Sequence, residues 1–475
     1  MGRAASKLKP AAPGFLRRLG VVGMDAVEPV IVAALLTEAP LLLIGPHGVG
    51  KSWMLTRLAA VLQLPFRHYN ASLLNYDDLV GYPLPNSRGE LDYVKTPASI
   101  WGAAAVFIDE IARCRPEVQN KLFSIIHEKC IQGMALQGLR YRWSAMNPPA
   151  TDDEANGYTG CEPLDAALAD RFAFVVAIPD WTALSAPEKE ALIRTESGRP
   201  PAELGPELRN RIGAGRDLAR VLRQQHSEAV ARYVRVVYSL LAQGNIHLSP
   251  RRAVMVFENV LAVHAARSLE CPEAKFGDSA LLALTHSLPH RATGETVSAA
   301  KVVAAHKEAW PASQVVDSPM LAVLAESDPL RRSMAAIRLR KLRKAEFSSI
   351  VADSVAALPP GGRHALAFEL FEGGAAGRLV ASVAEQCSRL YALVASPQNV
   401  HDQVHAGSTR HRVWQRIVDR LSRLKRTDPE SPRITNLLCG LFTSNELASE
   451  REVDDAIEQW RAARVSLNGA GGEAA

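Results

Sequence analysis

The stretch Gly45-Pro46-His47-Gly48-Val49-Gly50-Lys51-Ser52 fits the pattern G-x-x-x-x-G-K-[ST]. Glycines in such a run let the backbone curl until successive N–H groups point inward at phosphate oxygens. A helix opening at the end of the loop adds its positive N-terminus. Lys51 would reach the β- and γ-phosphates, and the Ser52 hydroxyl would ligate Mg²⁺. His47 occupies a free position of the pattern and reads as a solvated side chain. Trp53 follows directly and is grouped with the loop as a nucleotide contact.

A second group with chemistry is Val106-Phe107-Ile108-Asp109-Glu110, an apolar run ending in two carboxylates. Strand side chains alternate, so the two acids leave the strand end in different directions and can take separate roles. Asp109 would hold Mg²⁺ through water. Glu110 would orient and polarise the water that attacks the γ-phosphorus. Alone, the pair reads equally well as a solvated strand end; beside a phosphate loop, hydrolysis is the better reading.

These groups need a frame that brings separate segments to one edge. From about residue 20 to 180 strand and helix signals alternate. Leu41–Ile44, Phe66–Ala71, Ala103–Ile108, Tyr141–Met146 and Phe172–Ile178 read as strands, Lys51–Leu62 and Pro116–Lys129 as helices. In the second helix Val118, Leu122, Ile125 and Ile126 fall at i, i+4, i+7 and i+8, and Pro116 suits the first turn. The alternation predicts an α/β fold with a parallel sheet covered on both faces. After Pro179 the strand signal fades. Residues 181–310 read as an all-α lid with a break at Gly198–Pro206, and 311–465 as an all-α C-terminal region of unknown role. Residues 1–17 read as a flexible basic arm and 466–475 as a disordered tail.

Composition bounds the rest. The 475 residues, 47% of them hydrophobic, suffice for two or three structural units. A net charge of +5 with both signs mixed does not by itself imply nucleic acid. The cysteines at 114, 130, 161, 271, 387 and 439 show no ligand spacing, which argues against a metal cluster or a disulfide framework. They read as reduced thiols of a cytosolic protein. The N-terminus lacks the apolar stretch of a signal peptide, and no apolar run reaches bilayer length, so a cytoplasmic protein without a membrane span is expected.

Four further runs carry a family likeness. They are Asp78-Leu79-x-Gly81-x-Pro83-Leu84-Pro85-Asn86, Asp109-Glu110-Ile111-Ala112-Arg113-x-x-Pro116-x-Val118-Gln119-Asn120, Ser144-Ala145-Met146-Asn147-Pro148, and Leu164-Asp165-x-Ala167-Leu168-x-Asp170-Arg171-Phe172. In this order, over residues 18–310, the chain resembles the MoxR and dynein-related branch of the AAA+ ATPases. The resemblance implies a P-loop AAA+ core at 18–180 with a helical lid at 181–310, and ATP with Mg²⁺ as ligands. It gives Asn147 the sensor-1 role, touching the γ-phosphate or the attacking water. Arg171 resembles the arginine finger that reaches a neighbouring subunit's nucleotide. Arg251 resembles the sensor-2 arginine. Ser249 would cap its helix and Pro250 take the first position, bringing Arg251 to the same chain's nucleotide, with Arg252 as rival. Val22-Gly23-Met24 resembles the segment that packs on adenine, and no Asn-Lys-x-Asp guanine signature is present.

There are departures. Ala112 stands where the family often has Asn, and Ala166 where many MoxR members have Glu, so the match there is closer to the dynein-related pattern. Arg113 matches an arginine that either crosses a subunit interface or forms a structural ion pair. Gly81–Lys95 and Ile131–Tyr141 resemble the family's two β-hairpin insertions, which either face a pore or pack neighbours. The implied partners are further copies of this chain in a ring, a hexamer by family likeness, and a von Willebrand A domain protein or other client. The expected function is client remodelling or maturation driven by ATP hydrolysis. The alternatives are a nucleic-acid-stimulated motor and a nucleotide-sensing scaffold with little turnover. The motor would use the basic stretches 331–344 (Arg331, Arg332, Arg338, Arg340, Lys341, Arg343, Lys344) and 410–426, which otherwise read as solvated helix faces.

Overall fold

Five short segments pair into one parallel sheet with the order β2-β5-β8-β1-β9. They are β1 (Leu41–Ile44), β2 (Phe66–Asn70), β5 (Ala105–Asp109), β8 (Tyr141–Met146) and β9 (Phe174–Ala177). Two antiparallel hairpins project from this frame: β3 (Tyr82–Pro85) with β4 (Leu91–Val94), and β6 (Cys130–Ile131) with β7 (Met134–Ala135). The central strands are buried without alternation: every residue of the apolar β1 is buried, and so is every residue of β8, Arg142 and Ser144 included. A sheet covered on both faces demands that pattern. The computed structural model describes residues 14–89, 91–149, 162–195, 200–315, 319–398, 400, 405, 407–425 and 427–469. The readings of residues 1–13, Cys161, 198–199, Arg426 and 470–475 lie outside the described residues.

The helices of this first part are α1 (Phe15–Arg18), α2 (Glu28–Thr37), α3 (Lys51–Leu62), α4 (Tyr76–Val80), α5 (Pro116–Phe123), α6 (Ala166–Ala169) and α7 (Ala186–Ile193). The long α8 (Leu204–Gln243) follows, then α9 (Pro250–Glu270), α10 (Phe276–Thr285) and α11 (Ala299–Ser313). Leu42, Ile108, Leu122, Ile126, Leu168 and Phe172 share one core cluster, which ties the sheet to α5 and α6.

Several expectations need correction. The helix expected over 116–129 is α-helical only to Phe123; Ser124–Glu128 form a π-turn. The wider turn still brings Ile125 and Ile126 into the core, and apolar spacing alone does not separate the two forms. Part of the expected arm is folded: Phe15 and Leu16 are buried in α1. Their amides donate to the Glu28 carboxylate at 3.1 and 2.9 Å, and Arg211 pairs with the same group at 3.2 Å. That carboxylate is only 2% exposed, so satisfying it fixes α1 in place. At the other end a helix runs through the first residues of the expected tail, to Gly469, and buries Leu467.

The chain divides into two compact units. The first holds residues up to Arg235 and Ile246–Trp310; the second holds Val236–Asn245 and the chain from Pro311 on. The end of α8 thus groups with the second unit and not with the lid. The second unit adds α12 (Pro319–Leu324), α13 (Pro329–Arg338), α14 (Lys344–Ala357), α15 (Pro360–Glu372), α16 (Ala381–Ala395), α17 (Thr409–Ser422), α18 (Ser431–Thr443) and α19 (Glu450–Gly469). Phe347, Leu366, Ile417, Leu438 and Trp460 are among its buried core. Gly361 lets α15 meet α19 closely, since a Cβ there would stand 2.4 Å from the Ala456 carbonyl oxygen. Much of the basic charge is engaged within this unit. Arg416 and Arg420 clasp Asp454 at 2.6 and 2.5 Å, Arg423 pairs with Asp419 at 2.7 Å, and Arg343 pairs with Glu346.

Candidate active site

The loop between β1 and α3 turns on two glycines. Gly48 and Gly50 have φ of +77° and +86°, a left-handed conformation that side chains rarely adopt, and α3 begins at Lys51. The sheet order puts β8 beside β1 and β5 beside β8. The C-terminal ends of these strands therefore deliver Asn147 and Asp109 to the loop, at the edge where open parallel sheets bind ligands. Lys51 is 8% exposed, and its ammonium donates to the carbonyls of Gly45 (2.5 Å) and Pro46 (2.7 Å) and to Asn147 Oδ1 (3.0 Å). The Ser52 hydroxyl donates to Asp109 Oδ2 at 2.6 Å. The side chains of Lys51, Ser52, Asp109 and Asn147, from three segments, thus converge.

Glu110 leaves β5 with a left-handed backbone, φ +52°, and its amide donates to Asp109 Oδ1 at 2.9 Å. A non-glycine residue in that region is strained, and such strain concentrates where a side chain must be aimed. Its carboxylate stands 4.0 Å from Arg113, so in this structure Arg113 forms a loose ion pair within its own chain. Sequence reasoning missed one neighbour. His68 of β2 stacks on Phe107 with 4.6 Å between ring centroids and sets Nε2 3.6 Å from Asp109 Oδ2. No local pattern flagged it; only the β2–β5 pairing brings it there. Burial raises the Asp109 carboxyl, but hydrogen bonds from His68, Ser52 and the Glu110 amide outweigh burial and hold it below its ordinary value. The anionic carboxylate and the Ser52 hydroxyl are hard oxygen donors of the kind that hold Mg²⁺, so the residues fit that ion.

A cavity of 680 Å³ opens beside the loop, within the usual size of small-molecule sites. Its walls include the backbone of Pro46–Gly50, Val21 and Val22, Trp53, and Trp181 with Leu184 beyond β9. His47 is exposed at this wall. Val22, expected from the family likeness to pack on adenine, is one of the lining residues. Gly23 does not line the cavity; it packs behind Leu184, whose Cδ2 a Cβ would strike at 2.3 Å. Trp181, Leu184, Leu192 and Thr195 were missed, because they meet the loop only through packing of the segment that holds α7.

Arg171 and Arg251 form a separate group. Asp170 closes α6 and accepts hydrogen bonds from the Ser249 hydroxyl (2.7 Å), Arg251 (3.5 Å) and Arg252 (3.3 Å). Ser249 caps α9 by accepting from the Arg252 amide at 3.1 Å, and Pro250 takes the first helical position. Arg252 is 0% exposed and also donates to the carbonyls of Phe172 and Ala169, which makes it a structural clamp. Arg251 remains half-exposed beside Asp170 and does not line the loop cavity. The Ser249–Asp170 joint pins the start of α9 to the end of α6, next to Arg171.

A phosphate loop after the first strand, and paired acids ending a strand two places away in a five-stranded parallel sheet, define a P-loop nucleotide-binding domain. The family model described as the AAA domain (dynein-related subfamily) matches residues 40–172, which run from β1 to just past Arg171, so the chain contains an AAA domain of this kind. The crystal structure of a candidate ATPase from Cytophaga hutchinsonii is similar over 62% of this chain and 92% of its own, with 19% identity and a TM-score of 0.44. No helix among the described residues is long and apolar enough to cross a membrane.

Proposed function

We propose that this chain is an ATPase that works as a ring of identical subunits and uses hydrolysis to remodel a protein client. The observation that carries the ATPase reading is the convergence of Ser52 on Asp109 at 2.6 Å and of Lys51 on Asn147 at 3.0 Å. Lys51 would exchange its carbonyl partners for phosphate oxygens, and the loop amides would cradle the same group. Mg²⁺, held by Ser52 and Asp109, would neutralise charge on the β- and γ-phosphates. Glu110 would take a proton from the attacking water, with Asn147 steering that water or the γ-phosphate. Trp53, Trp181 and Val22 give the cavity the apolar character suited to a base.

AAA+ proteins commonly assemble into rings, and the arginine pair supports that arrangement here. Arg171 and Arg251 stand together on one shoulder of the domain, and Arg251 is not on the wall of the loop cavity. Both are read as serving the nucleotide of an adjoining copy. The two hairpins support a client: Tyr82, Leu84, Val94 and Met134 are exposed apolar side chains on them. Engagement of Arg416 and Arg420 by Asp454 gives the nucleic-acid motor no support.

The test is phosphate release with Mg²⁺ and ATP by the wild type and by Glu110→Gln. A fall of at least about 100-fold is expected for loss of a general base. Equal rates in a folded variant that still binds ATP would sink the hydrolytic reading and leave the scaffold.

A further inference from the structure

We propose that Phe123 is the positioning residue of Arg171, its ring serving as the seat that holds the guanidinium in the pose from which it acts on a neighbouring copy. The inference rests on the trans-acting reading of Arg171 given above. The Arg171 guanidinium carbon lies 4.3 Å above the Phe123 ring centroid. Nη1 donates to the Ala167 carbonyl at 2.6 Å, and Nε is buried without a hydrogen-bond partner. The nearest acid in sequence, Asp170, is engaged by Ser249, Arg251 and Arg252 instead. Among the described residues Arg171 forms no ion pair at contact distance, and Glu128, Asp170 and Asp165 act on it only through longer-range attraction, so the aromatic face is the group directly against the guanidinium.

That contact has a physical consequence. A carboxylate would fix the cation by a directional pair and offset the charge it must offer to phosphate. A ring face attracts the cation through its quadrupole and leaves the charge uncancelled. Burial lowers the Arg171 pKa and the Arg251 cation adds to that effect, together outweighing the opposing pull of Glu128, Asp170 and Asp165. Two like charges at close range push apart, and the ring opposes the push. The seat itself is firm: Phe123 packs against the sheet core and ends α5, where the chain passes into the π-turn Ser124–Glu128. That turn leads directly into the β6–β7 hairpin.

The test compares Phe123→Leu, Phe123→Tyr, Arg171→Ala and the Leu/Ala double variant in assembled protein, measuring kcat and KM for ATP. Phe123→Leu is expected to lower kcat about tenfold with KM changed by less than about twofold, which is a loss felt in the transition state alone. Phe123→Tyr, which keeps the ring, should recover most of the rate. The double variant should be no slower than Arg171→Ala, because the seat has nothing left to hold. Should Phe123→Leu fail to fold, Phe123→Met fills the same space and carries the same expectation. A folded Leu or Met variant with wild-type kcat overturns the seat, as does a Tyr variant no better than Leu. Full activity in Arg171→Ala overturns the trans-acting reading itself and the seat with it. Loss in Arg171→Ala with full activity in Phe123→Leu overturns the seat alone.

Discussion

Asp170 separates two adjacent arginines into different tasks. Arg252 is buried among Phe172, Ala169 and Asp170, whereas Arg251 pairs with Asp170 and keeps a half-exposed head. Arg252→Met should therefore lower the urea stability of the first unit by about 3 kcal/mol, because it leaves a buried carboxylate and carbonyls short of a donor. Arg251→Ala should change stability by less than about 0.5 kcal/mol, as surface changes do, yet slow ATP turnover. Comparable destabilisation in both variants would contradict the division. At this scale the phosphate loop and the acidic pair were legible in the sequence, because their chemistry dictates residue type and spacing within one segment. His68, Trp181 and Leu184 were not legible, because each reaches the site from an element with no chemical reason of its own to be there. The choice between Arg251 and Arg252 also needed the fold, since both lie in the first turn of one helix.

The two hairpins are specified by their turns. Gln132 and Gly133 carry φ of +49° and +77°, the doubly positive pattern that suits a two-residue hairpin loop. Gly81, at φ +100°, opens the β3–β4 hairpin where a Cβ would stand 2.3 Å from the Val94 carbonyl oxygen. The Tyr93 hydroxyl donates to Gln132 at 2.8 Å and joins the hairpins. Gly81→Ala should open the β3–β4 hairpin by at least about 1 kcal/mol, read as faster amide exchange over Tyr82–Val94, while basal ATPase persists. Unchanged protection would show that the glycine is dispensable. Both hairpins were expected from the family resemblance, although the second, expected over Ile131–Tyr141, is confined to Cys130–Ala135. The π-turn after Phe123 was not, since Ile125 and Ile126 satisfy a helical period in either geometry.

Across the molecule, acid acts through buried histidines in both units, His264 and His286 in the first and His364 in the second, and through Asp454 only at lower pH. In the first unit burial pushes His264 and His286 down to about 4, with His226 and Arg267 adding to the effect on His264 and Arg291 on His286. A histidine depressed in the folded state takes up protons first when unfolded. Stability is therefore whole above about pH 6.5 and declines as pH falls towards about 4. In the second unit the Arg420 hydrogen bond, with Arg416, holds Asp454 down to about 2. A depressed carboxylate contributes above its unfolded value of 3.8 and loses that contribution only as pH falls through about 2. Melts at pH 7 and 5 should show the first unit's transition moving down while the Asp454 contribution to the second stays constant. His264→Phe should reduce the shift of the first transition. A first-unit transition that stays put between pH 7 and 5, or a shift unaltered in His264→Phe, would contradict this account. The α/β frame was evident in the alternation of strand and helix. The second unit offered only helical periodicity, and Trp460 and Phe347 of its core carry no motif.

The joint between Asp170 and Ser249 has a consequence for mixed populations. It places Arg171 and Arg251 together on one shoulder, so a single chain would carry a phosphate loop for itself and a pair of cations for someone else. Damage to the loop and damage to the shoulder are then different kinds of defect. In the proposed ring a copy crippled by Lys51→Ala would still lend its cations, and a copy crippled by Arg171→Ala would still offer its loop. Blending two such silent proteins should bring back turnover at the junctions where an intact loop meets an intact shoulder. An assembly of this design inherits the dosage behaviour of a relay, in which each defective runner spoils one exchange and leaves the others intact.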